Sequence, residues 1–359
     1  MGASSEVNGS AGTTLFFASD YTLLDGARFF GAGSVVQSGG TLTANGALRA
    51  ASFTWSGGNW NVANNSSLTT TTIAAGTNLL LTDGHNNVRD FNGRSIVNQG
   101  VVTWQSGYLR SGQGGSFTNA AGASFIDLNS QGYSIYNAYG GTFTFANAGT
   151  YVKNSAGTTS IQVPFTNTGT ILVQNGALQF TSTFTNTGGS IIASGGNLSF
   201  SSPLNFGTGT LGGTGTITAP SVTAAGNVAP GNSAGALTLT GNLTLLATST
   251  LLIELGGTSP GTQYDLLSLG GTGALAGNLQ VNFLHGFQFA VQPAETFAVL
   301  TSAGLSGAFA NIANGGRLVT ADGFGSFQIN YGTGSAFAPT SLVLSNYVVI
   351  IPEPSTYAM

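Results

Sequence analysis

Short runs in which apolar residues alternate with Thr, Ser, Gln or Asn recur along the whole chain. Leu178-Gln179-Phe180, Leu198-Ser199-Phe200 and Leu279-Gln280-Val281-Asn282-Phe283 are clear examples. A period of two turns one face toward a core and the other toward water, so each run predicts a short strand. Gly- and Asn-rich turns bound the runs. Helical spacing of apolar residues is nowhere sustained.

The alternating runs repeat. Phe165-Thr166-Asn167-Thr168-Gly169-Thr170-Ile171 is followed by Phe184-Thr185-Asn186-Thr187-Gly188-Gly189-Ser190-Ile191, and Gly176-Ala177-Leu178-Gln179-Phe180 by Gly196-Asn197-Leu198-Ser199-Phe200. The offset is 19 residues in the first block and 20 in the second, so Gly189 reads as an insertion. The Asn-x-Gly core recurs at Asn147 and Asn98 and, with one extra residue, at Asn119, giving asparagine spacings of 21, 28, 20 and 19. A period near 20 with drifting spacing is the mark of stacked coils. No unit can bury its apolar face alone, whereas stacked units can, each strand pairing with its equivalent about 4.8 Å away. Asparagines at equivalent turns would then form amide ladders along the stack. The expected fold is all-β: a parallel β-solenoid (β-helix) over residues 1–205, roughly ten coils and ~50 Å of stack.

From Phe206 the texture shifts. A Gly/Thr-dense stretch, Gly207–Gly215, and a turn-rich crossing, Asn227–Gly235, precede longer runs at 279–283, 296–301 and 327–331. Residues 206–346 are expected to continue the solenoid or cap it, since an open coil end exposes unpaired backbone. Residues 347–359 are expected to form an extended tail.

Composition narrows the function. Of 359 residues, charged side chains make up 5%, hydrophobic ones 41%, and 56 are glycine. That is too apolar for disorder. Seven cations and a net charge of −4 give no field for a phosphate backbone, so nucleic acid is not an expected partner. The absence of cysteine removes disulfides, thiolate metal sites and cysteine nucleophiles. No apolar run approaches the ~18 residues of a membrane helix, and no basic-then-apolar leader opens the chain, so no membrane association is expected for these residues.

Candidate chemistry is sparse. Gly231-Asn232-Ser233-Ala234-Gly235 fits the G-x-S-x-G elbow, but a β-like run follows it where a helix is required. Gly207-Thr208-Gly209-Thr210-Leu211-Gly212 fits G-x-G-x-x-G, again without the helix that would receive a pyrophosphate. The run Asp83–Gly93, with His85 and Asp90, carries oxygen groups of the kind Ca²⁺ takes but neither known calcium spacing. A solvated turn is expected there, and no cofactor or metal is assigned. Asp83 with Asp90 is the one conceivable catalytic carboxylate pair; the expected protein is not an enzyme. Short Thr rows, Thr208/Thr210 and Thr214/Thr216, drift out of register. Trp55, Trp60, Trp104 and Tyr108 are the candidate aromatic platform for stacking on sugar.

The tail contains Pro352-Glu353-Pro354-Ser355-Thr356 after an apolar run. It resembles the PEP-CTERM sorting signal of Gram-negative, exopolysaccharide-producing bacteria. Gly213-Thr214-Gly215-Thr216-Ile217, Val228-Ala229-Pro230-Gly231-Asn232-Ser233, Ile253-Glu254-Leu255-Gly256-Gly257, Gln263-Tyr264-Asp265 and the stretch 295–301 resemble the distal passenger region of autotransporter-type surface proteins. These resemblances imply an exported surface or matrix protein, processed by exosortase-type machinery, with its leader and anchor outside these residues. The expected role is structural or adhesive, in contact with exopolysaccharide in a biofilm. A carbohydrate-binding or polysaccharide-cleaving module is the first alternative, and a self-associating filament subunit the second.

Overall fold

The computed structural model describes residues 6–23, 28–62, 69–82 and 87–350. It is an all-β parallel solenoid. Among the described residues, helix is confined to one three-residue 3-10 turn, Phe287–Phe289. The chain divides into two units, Met1–Ile192 with Gly196–Ser202, and Ala193–Gly195 with Pro203–Met359.

In the first unit, successive coils lay strands on three faces. On one face, Arg94–Asn98, Gly115–Asn119, Phe143–Asn147, Phe165–Asn167 and Phe184–Asn186 pair in parallel and in register. The register puts like on like. Phe117, Phe145, Phe165 and Phe184 form a column of stacked rings, with centroids 4.8, 5.0 and 5.8 Å apart. Two residues further on, and therefore also facing inward, Asn98, Asn119, Asn147, Asn167 and Asn186 form the amide ladder that their spacing predicts. Each Nδ2 donates to the next Oδ1 at 2.8, 2.8, 2.8 and 2.7 Å. At one end Asn98 Oδ1 accepts from Gly100 N–H, and at the other Asn186 Nδ2 donates to Gly189 O. The ladder satisfies polar groups that would otherwise be buried at a cost.

The same turn repeats after each asparagine. Ala148 and Gly149 N–H both donate to Asn119 O, and Thr168 and Gly169 N–H both donate to Asn147 O. Coils approach closely there: a Cβ on Gly169 would lie 2.1 Å from Gly149 O. Glycine is required for proximity rather than for an unusual backbone angle.

On the second face the inward column Gln37, Trp55, Leu81, Trp104, Asp127, Lys153, Val173 runs in register through seven coils. On the third face Leu109, Ile135, Ile161, Phe180 and Phe200 line up. The extra residues between Asn119 and Asn147 bulge outward as turns, which leaves the inward register intact.

The second unit is built from parallel coils with a different end. Leu204, Val222 and Leu243 form one column, and Leu211, Val228, Leu251 and Leu279 another. Half of the expected crossing at 227–235 is a strand, Asn227–Pro230. Val228 is fully buried in its column, and Pro230 falls at the strand end, where its missing N–H costs no ladder bond. After Gly304–Gly307 the pairing reverses. Ser341–Val349 runs antiparallel to both Phe297–Thr301 and Gly325–Asn330, and Arg317–Val319 antiparallel to the latter. Phe283, Phe297, Phe327 and Tyr347 pack together beneath these strands. Within this unit, parallel coils thus give way to antiparallel strands, and residues 347–349, expected to start the tail, lie within Ser341–Val349 instead.

Candidate functional site

The three tryptophans do not form a surface. Trp55, Trp60 and Trp104 are each no more than 1% exposed. Trp55 and Trp60 stack with centroids 4.2 Å apart and planes 1° from parallel. Their N–H groups are used internally, Trp55 on Gly58 O, Trp60 on Gln37 Oε1 and Trp104 on Gly107 O. Their burial has a simple cause. Phe53-Thr54-Trp55 and Val102-Thr103-Trp104 alternate, and the indoles share the inward phase with Phe53 and Val102.

Tyr108, the fourth residue of that set, has the opposite phase and is half-buried at the surface. It meets Tyr133 edge-on at 4.9 Å and Tyr136 edge-on at 5.7 Å. Asp90, Arg110 and Tyr136 are register partners on three successive coils. Arg110 Nε and Nη2 each donate to one Asp90 oxygen at 2.7 Å, a two-point pairing that fixes the guanidinium plane. Arg110 Nη1 also reaches Tyr136 Oη at 3.4 Å. Donating to the Asp90 carboxylate raises the Arg110 pKa further, against the effect of burial. Tyr139 stands nearby, and burial, then the Asp90 carboxylate, push its phenol upward. The result is a row of half-buried aromatic rings beside a planar ion pair. Such rings offer apolar faces and edges to sugar C–H groups. The ion pair offers directional hydrogen bonds to vicinal hydroxyls. Single-residue reading of the sequence misses Tyr133, Tyr136, Tyr139 and Arg110 because they come together only across coils.

The other candidates resolve as follows. Asp83 and His85 lie outside the described residues, as do Pro352, Glu353, Pro354, Ser355 and Thr356. Asp90, the remaining half of the carboxylate pair, has both oxygens engaged by Arg110. Ser233 is exposed with φ 124°, and the strand Ala236–Leu239 follows it, so no helix completes an elbow. The buried Asp265 ties this loop down instead, accepting Gly235 N–H at 2.9 Å and Glu254 N–H at 2.8 Å. Burial raises its carboxyl to about 7 against the pull of these two bonds. Within Gly207–Gly212 the strand Thr210–Gly213 begins where a dinucleotide fingerprint would open a helix. Thr210 faces Asn227 one coil on, which interrupts the threonine row. Arg94 is buried and donates to Trp60 O, Ala44 O and Thr71 Oγ1 at 2.6, 2.8 and 2.9 Å. It binds early coils together, with burial drawing its pKa down to about 10. Among the described residues, no three His, Asp or Glu side chains gather as a metal would need.

No protein-family model and no curated protein matches the chain.

Proposed function

We propose that the chain is a non-enzymatic, exported solenoid that serves as a structural or adhesive element at the cell surface or in the extracellular matrix. Its contact with exopolysaccharide runs through the row Tyr108, Tyr133, Tyr136 and Tyr139 beside Asp90–Arg110. The observation that carries the reading is the in-register alignment of Asp90, Arg110 and Tyr136 on three consecutive coils. A stacked sheet holds these groups rigidly, so little side-chain freedom is lost when a glycan chain lies across them. Export and sorting rest on the resemblance of the tail to the PEP-CTERM signal and of the distal region to autotransporter passengers.

The test is a glycan array and immobilised exopolysaccharide, read together with release of reducing ends. Retention without release is expected. Arg110→Ala and Tyr136→Ala should each weaken retention about tenfold, a loss near 1.4 kcal/mol. Product release, or retention unchanged in both variants, overturns the assignment. Sorting is checked separately in an exosortase-bearing host. Replacing Pro352, Glu353 and Pro354 by alanine should abolish surface display, and unchanged display would refute the signal.

A further inference from the structure

Lys153 is the only lysine in the sequence, and it is not on the surface. It sits in the inward column of the second face, directly in register with Asp127 on the preceding coil, and the pair is flanked by Trp104 on the Asp127 side and Val173 on the Lys153 side. Both side chains are 0% exposed, and Lys153 Nζ lies 3.6 Å from Asp127 Oδ1. As a simple ion pair this is a poor use of a core position, because desolvating two charges commonly costs more than their attraction returns.

The surroundings are specific. Tyr151, also fully buried and stacked on Phe125 with centroids 5.0 Å apart, donates its hydroxyl to Asp127 Oδ2 at 3.0 Å. Asn129 N–H donates to Oδ1 at 2.9 Å. Lys153 Nζ is held by Asn129 O at 2.8 Å and by the Ser155 hydroxyl. The amine is thus aimed across the gap between two coils at a carboxyl whose oxygens are each fixed by a donor.

We propose that Lys153 and Asp127 condense to a side-chain isopeptide bond, a covalent rung between adjacent coils of the first unit. The Lys153 Nζ lone pair attacks Asp127 Cγ, and the new C–N bond forms as a tetrahedral intermediate. The developing charge on Oδ2 is stabilised by the Tyr151 hydroxyl, in the manner of an oxyanion site. Oδ1 leaves as water, carrying its own proton and one from the amine, and the amide carbonyl re-forms. One amine and one carboxylic acid give one amide and one water, with no oxidant or co-reactant. Burial supports the reactive protonation states. It raises the Asp127 carboxyl against the opposing charge of Lys153, and it lowers the Lys153 ammonium against the opposing charge of Asp127. A neutral amine is the nucleophile such a step requires. Afterwards the amide keeps one N–H for Asn129 O, a carbonyl that Ser155 Oγ also donates to at 2.8 Å. Two buried charges are gone, while the Asn129 N–H gives up Oδ1 as its acceptor.

The full chain answers the question by intact mass under denaturing conditions, after folding is verified by circular dichroism. A mass lighter than the sequence by one water is expected. Trypsin should then fail to cut after residue 153, and in denaturant an amine-reactive reagent should label only the N-terminus. Asp127→Ala and Lys153→Met should each restore full mass. Asp127→Asn should lose ammonia instead of water and arrive at the same product. Tyr151→Phe should lower the fraction condensed at a fixed time after refolding. Folded protein of full mass, with Lys153 cleaved and labelled normally, overturns the proposal whatever the variants do.

Discussion

Replacing Asn147 by alanine is the sharpest test of what holds the first unit together. Asn147 is interior to the ladder. It accepts Asn119 Nδ2 at 2.8 Å and donates to Asn167 Oδ1 at 2.8 Å and Thr170 O at 3.1 Å. Truncation strips Asn167 Oδ1 of its ladder donor and leaves Asn119 Nδ2 with Thr150 O alone, at 3.1 Å. Each buried group left short of a partner costs about 1–3 kcal/mol, so with two such groups Asn147→Ala should cost about 2–6 kcal/mol. The matched control is Thr166→Ala, on the neighbouring strand and facing water, expected within about 0.5 kcal/mol of wild type. Asn147→Asp keeps the volume but sets an acceptor against Asn167 Oδ1. It should destabilise at least as much as alanine at neutral pH and recover in acid, where the protonated form can donate. Urea unfolding with linear extrapolation gives the numbers. Hydrogen exchange of the flanking coils shows whether the loss stays between nearest neighbours, as stacked repeats require. An Asn147→Ala cost below about 1 kcal/mol, or one no larger than that of Thr166→Ala, would refute the claim that the ladder stabilises the stack.

Four further outcomes are expected. Gly169→Ala forces a Cβ to 2.1 Å from Gly149 O and should cost about 1–3 kcal/mol through overpacking. Gly76→Ala has open space but φ 81° and should cost about 1 kcal/mol; thermal melts of the pair separate crowding from backbone strain. Trp104→Ala empties a fully buried site and should cost about 3–5 kcal/mol in chemical denaturation. Asp265 has a folded-state pKa raised to about 7 by burial, with Glu254 adding a smaller push, against about 3.9 unfolded. Its contribution is fully present below pH ~4 and is lost as pH rises through ~7, roughly 4 kcal/mol in all. The unfolding midpoint of the second unit should fall over that window, and Asp265→Asn should flatten the slope.

Period-two alternation and the recurring Asn-x-Gly turn were enough to specify an all-β stack of parallel coils and to place an amide ladder inside it. Identical turns on identical coils superpose, so equal residues become neighbours wherever the spacing holds near one period. The same alternation, followed strictly, puts Trp55 and Trp104 in the core, in phase with Phe53 and Val102. Other features were decided only in three dimensions. Asp127 and Lys153 lie 26 residues apart, because the coil between them is lengthened by outward turns, and no fixed period finds them. Asp90, Arg110 and Tyr136 share no local motif, and their adjacency exists only through register across coils. The antiparallel closure by Ser341–Val349 is likewise invisible locally, since a strand's pattern records which face is buried but not the direction of its partner. A chain can encode inside and outside residue by residue. Which distant residues meet depends on how many residues each intervening turn takes up, and only the folded stack sums those turns.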